Sequence, residues 1–517
     1  MKLSRPLILL ILDGWGIGQD DAHNAIFQAN TPTLDQLLAT YPNGPIGAAG
    51  EHIDLGAGHQ GSTEMGHLII GAGRNVLVAQ MQMQKALETG EIEQNKAYVE
   101  AIEHARDNNT RLHLMGLLSD AGVHSYDATC YYLLKMAAAA GLKKDQVFIH
   151  IFSDGRDTPP QSIAAYVKKL EEEIEQSGVG IIASLQGRYW AMDRDHRWDR
   201  VEAAYQLLTE GRGQREAQSI YGAIEKARRA NETDEFIKPT SIAPDGNFKD
   251  GDAVINWNYR VDREIEITKA LIEPKFEAFE RAVVRNIFCV ATLPYYNGIP
   301  CSFAFEREEL KMKNILPKIL ADNNLTQYRI TETEKWVYLT KIFNGMQEEP
   351  FPGEIRKLID SDKIATYDEK PEMQAIPIAE DVASHITSGD YDTYFINICN
   401  ADILGHTGNK EAAIAGCEAI DKAVAIIVKA VRSKNGILLI TADHGDAEIM
   451  WDLKNDQPHT QHTDSFVPFI LVDDLHKRSQ IRETGALRDI APTILDLLNL
   501  DIPPQMDGKS LIIPDAI

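Results

Sequence analysis

Gly436-Ile437-Leu438-Leu439-Ile440-Thr441-Ala442-Asp443-His444-Gly445-Asp446-Ala447-Glu448 passes from an unbroken apolar run directly into an Asp-His pair. A continuous apolar run of this length suits a strand buried on both faces of a parallel sheet. Gly445 then allows the sharp backbone turn that ends it. Ligand chemistry in open α/β sheets sits just beyond the carboxyl ends of the strands. An adjacent Asp and His there can each give one atom to a divalent metal. On this stretch alone, a polar loop whose carboxylate caps a helix is an equal alternative.

Other stretches end in the same way. Leu7–Leu12 is a second buried run, and Asp13 stands at its carboxyl end as Asp443 does on the first. Lys2 and Arg5 ahead of that run mimic the start of a secretory signal. The run is too short for one, and it ends in Asp13-Gly14-Trp15-Gly16 with no small-residue cleavage site. Tyr394–Asn397 is a third apolar strand, leading into Asn400–Gly408. Asp402 and His406 lie four residues apart there, a spacing that puts both on one side of a helical turn. His459 and His462 follow the central strand, and Val467–Val472 is a further buried run. Glu411–Val431 reads as a packed helix, and Leu487–Leu498 as a docking helix with apolar positions at helical spacing. Asn30–Asp35 reads as a helix start. Thr331–Lys335 places a lysine after a helix-like segment.

Gly58–His67 sets glycines around the hydroxyl pair Ser62-Thr63. A tight turn there presents a side chain at a helix N-terminus, which stabilises the negative charge of a phosphate-bearing group. An N-cap with no chemistry is the alternative.

Between about residues 76 and 309 the texture changes. Helical segments Gln94–Arg106 and Ser162–Ser177 alternate with short strands Leu112–Leu118, Val147–Phe152 and Ile181–Leu185, which predicts a second α/β domain. Its strand ends are basic. They carry His124, then Arg156 with Asp157, then Arg188 and Arg194, and a fourth segment holds Arg260 and Arg263. Arginines so placed suit bidentate capture of phosphate and carboxylate, although single arginines also pair with surface acids.

Composition narrows the function classes. A chain of 517 residues has room for two large domains at ~100–200 residues each. The formal charge of −25 argues against nucleic acid or an anionic membrane as partner, and an anionic substrate would need a local basic cluster. Five cysteines with no CxxC spacing read as reduced thiols of a cytoplasmic protein, with no disulfide framework or cysteine zinc site. No stretch approaches the ~20 apolar residues of a membrane span.

Eight motifs in order make the chain resemble the cofactor-independent phosphoglycerate mutases of the alkaline phosphatase superfamily. They are ILDGWG (Ile11–Gly16), GHLIIGAGR (Gly66–Arg74), DGRDTPP (Asp154–Pro160), GRYWAMDRD (Gly187–Asp195), TETEK (Thr331–Lys335), TYDEKPEM (Thr366–Met373), GHTG (Gly405–Gly408) and TADHGDAE (Thr441–Glu448). The resemblance implies an α/β protein: an alkaline-phosphatase-like, mostly parallel sheet flanked by helices, with a second α/β domain inserted. Residues 1–75 and 310–517 would form the metal-binding domain, and 76–309 the inserted transferase domain, with hinge motion at the two crossings.

It further implies two divalent ions, commonly Mn2+, and no 2,3-bisphosphoglycerate. Asp402, His406 and His462 match the ligands of one ion, with His459 a nearby competitor. Asp13, Asp443 and His444 match those of the other, together with the nucleophile's oxygen. Substrate contacts map to His124, Arg156, Asp157, Arg188, Arg194, Arg260, Arg263 and Lys335. The implied reaction interconverts 3-phosphoglycerate and 2-phosphoglycerate through a phosphoenzyme in a monomer. A diverged metal-dependent phosphatase or phosphoryl transferase is the alternative.

Three positions depart from the family pattern. Thr63 holds the place of the usual nucleophilic serine and Ser62 that of an asparagine, so Thr63 is expected to be the nucleophile and Ser62 is the alternative. Tyr126 replaces a histidine. Asp446 replaces an asparagine and adds negative charge beside the metal pair.

Overall fold

The computed structural model describes residues 3–56, 58–76, 79–307, 312–454 and 456–513. The chain forms two compact units, one of Met1–Val76 with Glu308–Ile517 and one of Leu77–Arg307. The expected crossing near residue 309 lies outside the described residues. Among those described, no helix is long and apolar enough to cross a membrane.

The discontinuous unit is built on an eight-stranded sheet. Its order is Glu354–Ile359, Gln327–Glu332, Thr393–Ile398, Leu7–Leu12, Ile437–Thr441, Val467–Val472, Asn43–Gly47 and Gly485–Ala486. The first five strands are mutually parallel, and Val467–Val472 runs antiparallel to both of its neighbours. Leu7–Leu12 is buried along its whole length, so its unbroken apolar sequence meets a sheet with no solvent face there. Leu12 pairs with Ile398 and Ile11 with Thr441, so three adjacent parallel strands end together. Helices Ala375–Ser388 and Lys410–Ser433 pack on each other and on the sheet. Helix Thr63–Ala72 packs on helix Ile490–Leu497.

The inserted unit has a second eight-stranded sheet: Ser302–Phe303, Phe288–Ala291, Ala253–Asn256, Leu112–Leu117, Val147–Ser153, Ile181–Gly187, Thr240–Ser241 and Arg215–Glu216. All its pairings are parallel except that of Ile181–Gly187 with Thr240–Ser241. A large apolar cluster including Leu114, Leu134, Ile149 and Trp257 fills this unit.

Several expected elements shift. The segment before Lys335 is the buried strand Gln327–Glu332, followed by a single 3-10 turn over Thr333–Lys335, and no helix precedes the lysine. Gln327, Arg329 and Thr331 alternate with Tyr328, Ile330 and Glu332, a mixture that hides a strand buried along its length between two parallel neighbours. The helix expected over Gln94–Arg106 is Lys96–Asp107, because the Asn95 side chain caps it by accepting from the Tyr98 amide. The C-terminal helix covers Ile490–Leu497, after a 3-10 turn.

Candidate active site

The joint ending of the three central strands brings the acidic residues together. Asp13 directly follows Leu12, and its amide donates to the Ile398 carbonyl at 3.0 Å. The Asp402 amide in turn donates to the Asp13 carbonyl at 3.0 Å, which fixes helix Asn400–Gly405 over the strand ends. Gly14 makes this approach possible. Its φ is +78°, and a Cβ there would lie 2.6 Å from the Asp402 backbone. Any side chain would push Asp402 away.

The hydroxyl pair divides its labour. Ser62 is the N-cap of helix Thr63–Ala72, its Oγ accepting from the Met65 amide at 3.3 Å. Thr63 is the first helical residue, and it is buried. Its Oγ1 lies 2.7 Å from Lys335 Nζ, 3.0 Å from His444 Nε2 and 3.4 Å from Asp13 Oδ1. The capping reading therefore belongs to Ser62, while Thr63 faces the acidic group.

Two sets of side chains converge with metal-ligand spacing: Asp402, His406, Asp446 and His462, and Asp13, Asp443 and His444. His462 belongs to the first set and His459 to neither. Three histidines share one arrangement. His406 Nδ1 lies 2.9 Å from the Thr460 carbonyl, His462 Nδ1 3.0 Å from that of Gly61, and His444 Nδ1 3.1 Å from that of Gly445. A carbonyl only accepts, so each Nδ1 carries a hydrogen and each Nε2 is the atom that would give a metal its lone pair once free of its proton. The Nε2 atoms of His406 and His462 face each other at 3.0 Å. Those of His462 and His444 stand 3.1 and 3.5 Å from Asp402 Oδ1.

The carboxylates are short of donors. Asp402 Oδ1 and both oxygens of Asp443 and of Asp446 are buried without a hydrogen-bond partner. Buried carboxylate oxygens left unpartnered carry a desolvation cost that a bound cation offsets, and this donor set of carboxylates and imidazoles suits a divalent ion. Burial works against the His444 imidazolium, yet Asp443 and its acidic neighbours outweigh it and raise the pKa to about 10. His406 is raised to about 9, first by Asp402. The negative potential that draws these protons also draws a divalent cation, which displaces them on binding.

Lys335 stands in this acidic group, at 2.9 Å from Asp13 Oδ1 and 2.6 Å from Asp402 Oδ2. Lys335 belongs to the discontinuous unit, and the arginines with which the sequence groups it belong to the inserted one. Burial depresses its ammonium, but Asp13, Asp402 and Asp443 prevail and hold its pKa well above the ordinary value.

Three contributors escape a reading of the sequence alone. Asn397 donates to Asp13 Oδ2 at 2.7 Å and to His67 Nε2 at 3.1 Å. The other ring nitrogen of His67 lies 3.1 Å from Asp443 Oδ2. Both residues sit inside apolar runs, and their polarity was the one available signal. Asp446 was visible as added charge and not as a member of a ligand set. Gly405 gives it room, since a Cβ at that position would fall 1.9 Å from Asp446 Oδ1.

In the inserted unit, parallel strands deliver the basic residues. Arg188 is buried, with Nη1 at 2.7 Å from Asp154 Oδ1 and 2.5 Å from Asp157 Oδ2. Its Nη2 lies 2.6 Å from His124 Nε2. Burial, followed by Arg188 and Arg260, lowers the His124 pKa to about 3, so the ring accepts from Arg188 as a neutral imidazole. Arg194 and Arg260 both pair with Asp262, at 2.6 and 3.1 Å. Arg263 donates to the Met192 carbonyl at 3.0 Å, and Arg156 lies 3.5 Å from Glu235. Burial, then Arg188 and Arg194, lower the pKa of Arg263, the mark of a cluster whose positive charges outnumber their partners. The Tyr126 ring packs 5.7 Å from that of Tyr259, next to Arg260.

Comparison with known proteins gives a consistent result. Residues 83–298 match the family model described as BPG-independent PGAM N-terminus (iPGM_N). The 2,3-bisphosphoglycerate-independent phosphoglycerate mutase of Moorella thermoacetica is 45% identical, covering 99% of each chain. That of Shewanella amazonensis is 44% identical, with the same coverage. A crystal structure of Leishmania mexicana phosphoglycerate mutase at low cobalt concentration aligns over 98% of each chain, with 31% identity and a TM-score of 0.66. Identity at this level, end to end through both units, means that the chain belongs to the 2,3-bisphosphoglycerate-independent phosphoglycerate mutase family.

Proposed function

We propose that the chain interconverts 3-phosphoglycerate and 2-phosphoglycerate through a phosphothreonine at Thr63. The observation that carries this reading is two adjoining sets of buried aspartates and imidazoles, one of which meets the Thr63 hydroxyl through His444 Nε2 and Asp13. Two divalent ions, Mn2+ by preference, fit the two sets, with Asp402, His406 and His462 for one and Asp13, Asp443, His444 and Thr63 for the other. Bound there, such ions lower the pKa of a hydroxyl and neutralise charge on a transferring phosphoryl group.

The chain's own groups do the rest. The Thr63 hydroxyl gives up its proton, Oγ1 attacks phosphorus, and the bond from phosphorus to the 3-oxygen of the substrate breaks. The departing glycerate alkoxide takes up a proton. In the second step the 2-hydroxyl loses its proton and attacks the phosphothreonine, the bond from phosphorus to Thr63 Oγ1 breaks, and Oγ1 takes up a proton. Lys335, 2.7 Å from Oγ1, keeps a cation beside the charge that develops in both steps. The arginine cluster of the inserted unit, with His124 and Asp157, receives the carboxylate and hydroxyls of glycerate. Retaining glycerate is what separates a mutase from a phosphatase, because water otherwise takes the phosphoryl group. The metal chemistry belongs to the discontinuous unit and glycerate binding to the inserted one. The chain acts as a cytoplasmic monomer and needs no 2,3-bisphosphoglycerate.

The test follows 2-phosphoglycerate and free phosphate together, with purified protein, 3-phosphoglycerate and Mn2+. Mutase action predicts 2-phosphoglycerate with little phosphate, loss of activity with chelator and recovery with Mn2+. Phosphate as the sole product, or full activity after metal stripping, contradicts the reading.

A further inference from the structure

At one edge of the second sheet, Phe288–Ala291 and Ser302–Phe303 run parallel, with Ser302 opposite Val290 and Phe303 opposite Ala291. Cys301 directly precedes Ser302 and Cys289 directly precedes Val290, so continuing the register by one residue sets the two cysteines opposite each other. Paired residues on neighbouring strands direct their side chains to the same face, with backbones ~4.8 Å apart. That spacing lies inside the ~4.4–6.8 Å range between Cα atoms that a disulfide spans. The two thiols act directly on one another, which raises the Cys289 pKa and lowers that of Cys301. The Cys289 thiol first, and the Ala291 amide after it, lower the Cys301 pKa against the opposing effect of burial. Cys289 is buried and Cys301 half-buried, so Cys301 is the more accessible of the two. Cys130, Cys399 and Cys417 are all buried.

We propose that Cys289 and Cys301 form an oxidisable dithiol, a modification site for low-molecular-weight disulfides. The Cys301 thiolate attacks one sulfur of the small disulfide, forming a mixed disulfide and expelling one small thiolate. Cys289 gives its proton to solvent, and its thiolate attacks the Cys301 sulfur. The second small thiolate leaves as the Cys289–Cys301 bond forms. Two protein thiols are oxidised by two electrons, and one small disulfide is reduced to two thiols. A partly exposed attacking thiol with a resolving thiol beside it is the arrangement such exchange requires.

Oxidised glutathione is the probe, applied to the folded full-length chain, with thiol counting and peptide mass mapping as readouts. The expected result is loss of two of the five thiols, a peptide pair joined through Cys289 and Cys301, and return of both thiols with dithiothreitol. Cys289→Ser should stop at the mixed disulfide, retaining one glutathione on Cys301. Cys301→Ser should keep all its remaining thiols. Three results overturn the proposal: a wild-type chain that keeps every thiol, one that holds glutathione on Cys301 while Cys289 stays free, or a disulfide between other cysteines.

Discussion

Replacing Asp446 by Asn removes one negative charge from the acidic group and leaves a side chain of nearly the same volume. Both Asp446 oxygens are buried without a partner. Burial, followed by Asp402, pushes its pKa well above the usual carboxylate range. Asp446→Asn removes the cost of a buried charge but leaves an amide equally short of partners, so the chelator-treated variant should match or exceed the wild type in stability. Toward a cation the sign reverses. A unit charge ~4 Å away contributes about 4 kcal/mol at an effective dielectric of 20, and dehydrating and deprotonating the carboxylate returns most of that. The net effect should resemble the loss of a supporting group at other metal sites, about 10–100-fold in affinity. Denaturant unfolding of the stripped proteins and calorimetric titration with Mn2+ read the two signs separately. Mn2+ binding by Asp446→Asn that equals or exceeds wild type would refute the placement of Asp446 in the metal set.

Other variants divide the site by role. Ser62→Ala should lower stability by about 1 kcal/mol, as loss of an N-cap does, and keep most activity. Thr63→Ser should remain active and Thr63→Ala lose several orders of magnitude in turnover; steady-state assays and thermal unfolding of the three separate cap from nucleophile. Arg260→Ala should cost about 2–4 kcal/mol in catalysis, as loss of a charged anion contact does, and shift residual turnover toward free phosphate, which the two-product assay reads. The buried pair His113 and His150, 3.0 Å apart, is held neutral chiefly by burial. With folded pKa values below the unfolded 6.5, the unfolded chain binds more protons below that pH. Stability should therefore fall on acidification from about pH 6.5, by up to about 1.4 kcal/mol per pH unit for each histidine. His150→Leu should flatten that slope in pH-dependent unfolding, and an unchanged slope would remove the pair from the account.

The parts of this molecule that the sequence announces are those where a single local pattern suffices. Ile437–Thr441 and Leu7–Leu12 are unbroken apolar runs because a central parallel strand meets no water, and the aspartates at their ends follow from strand polarity. Lys335 is different. Its strand, Gln327–Glu332, mixes Arg329 and Glu332 into a buried position, and only pairing with Thr393–Ile398 and Glu354–Ile359 shows it to be a strand. His67 and Asn397 become site residues through contacts 330 positions apart in sequence, which no local spacing encodes. Ser62 and Thr63 could be told apart only by the helix start, where one hydroxyl turns back to the Met65 amide and the next faces Lys335.

The central claim is that Thr63 carries the phosphoryl group between the two oxygens of glycerate. Acid quenching of the Mn2+-loaded protein during turnover of 3-phosphoglycerate, followed by mass mapping of the peptide spanning Gly58–His67, tests it directly. Phosphate on Thr63, absent from the Thr63→Ala variant, is the predicted result. Phosphate on Ser62, or none on either residue while 2-phosphoglycerate still forms, would contradict it.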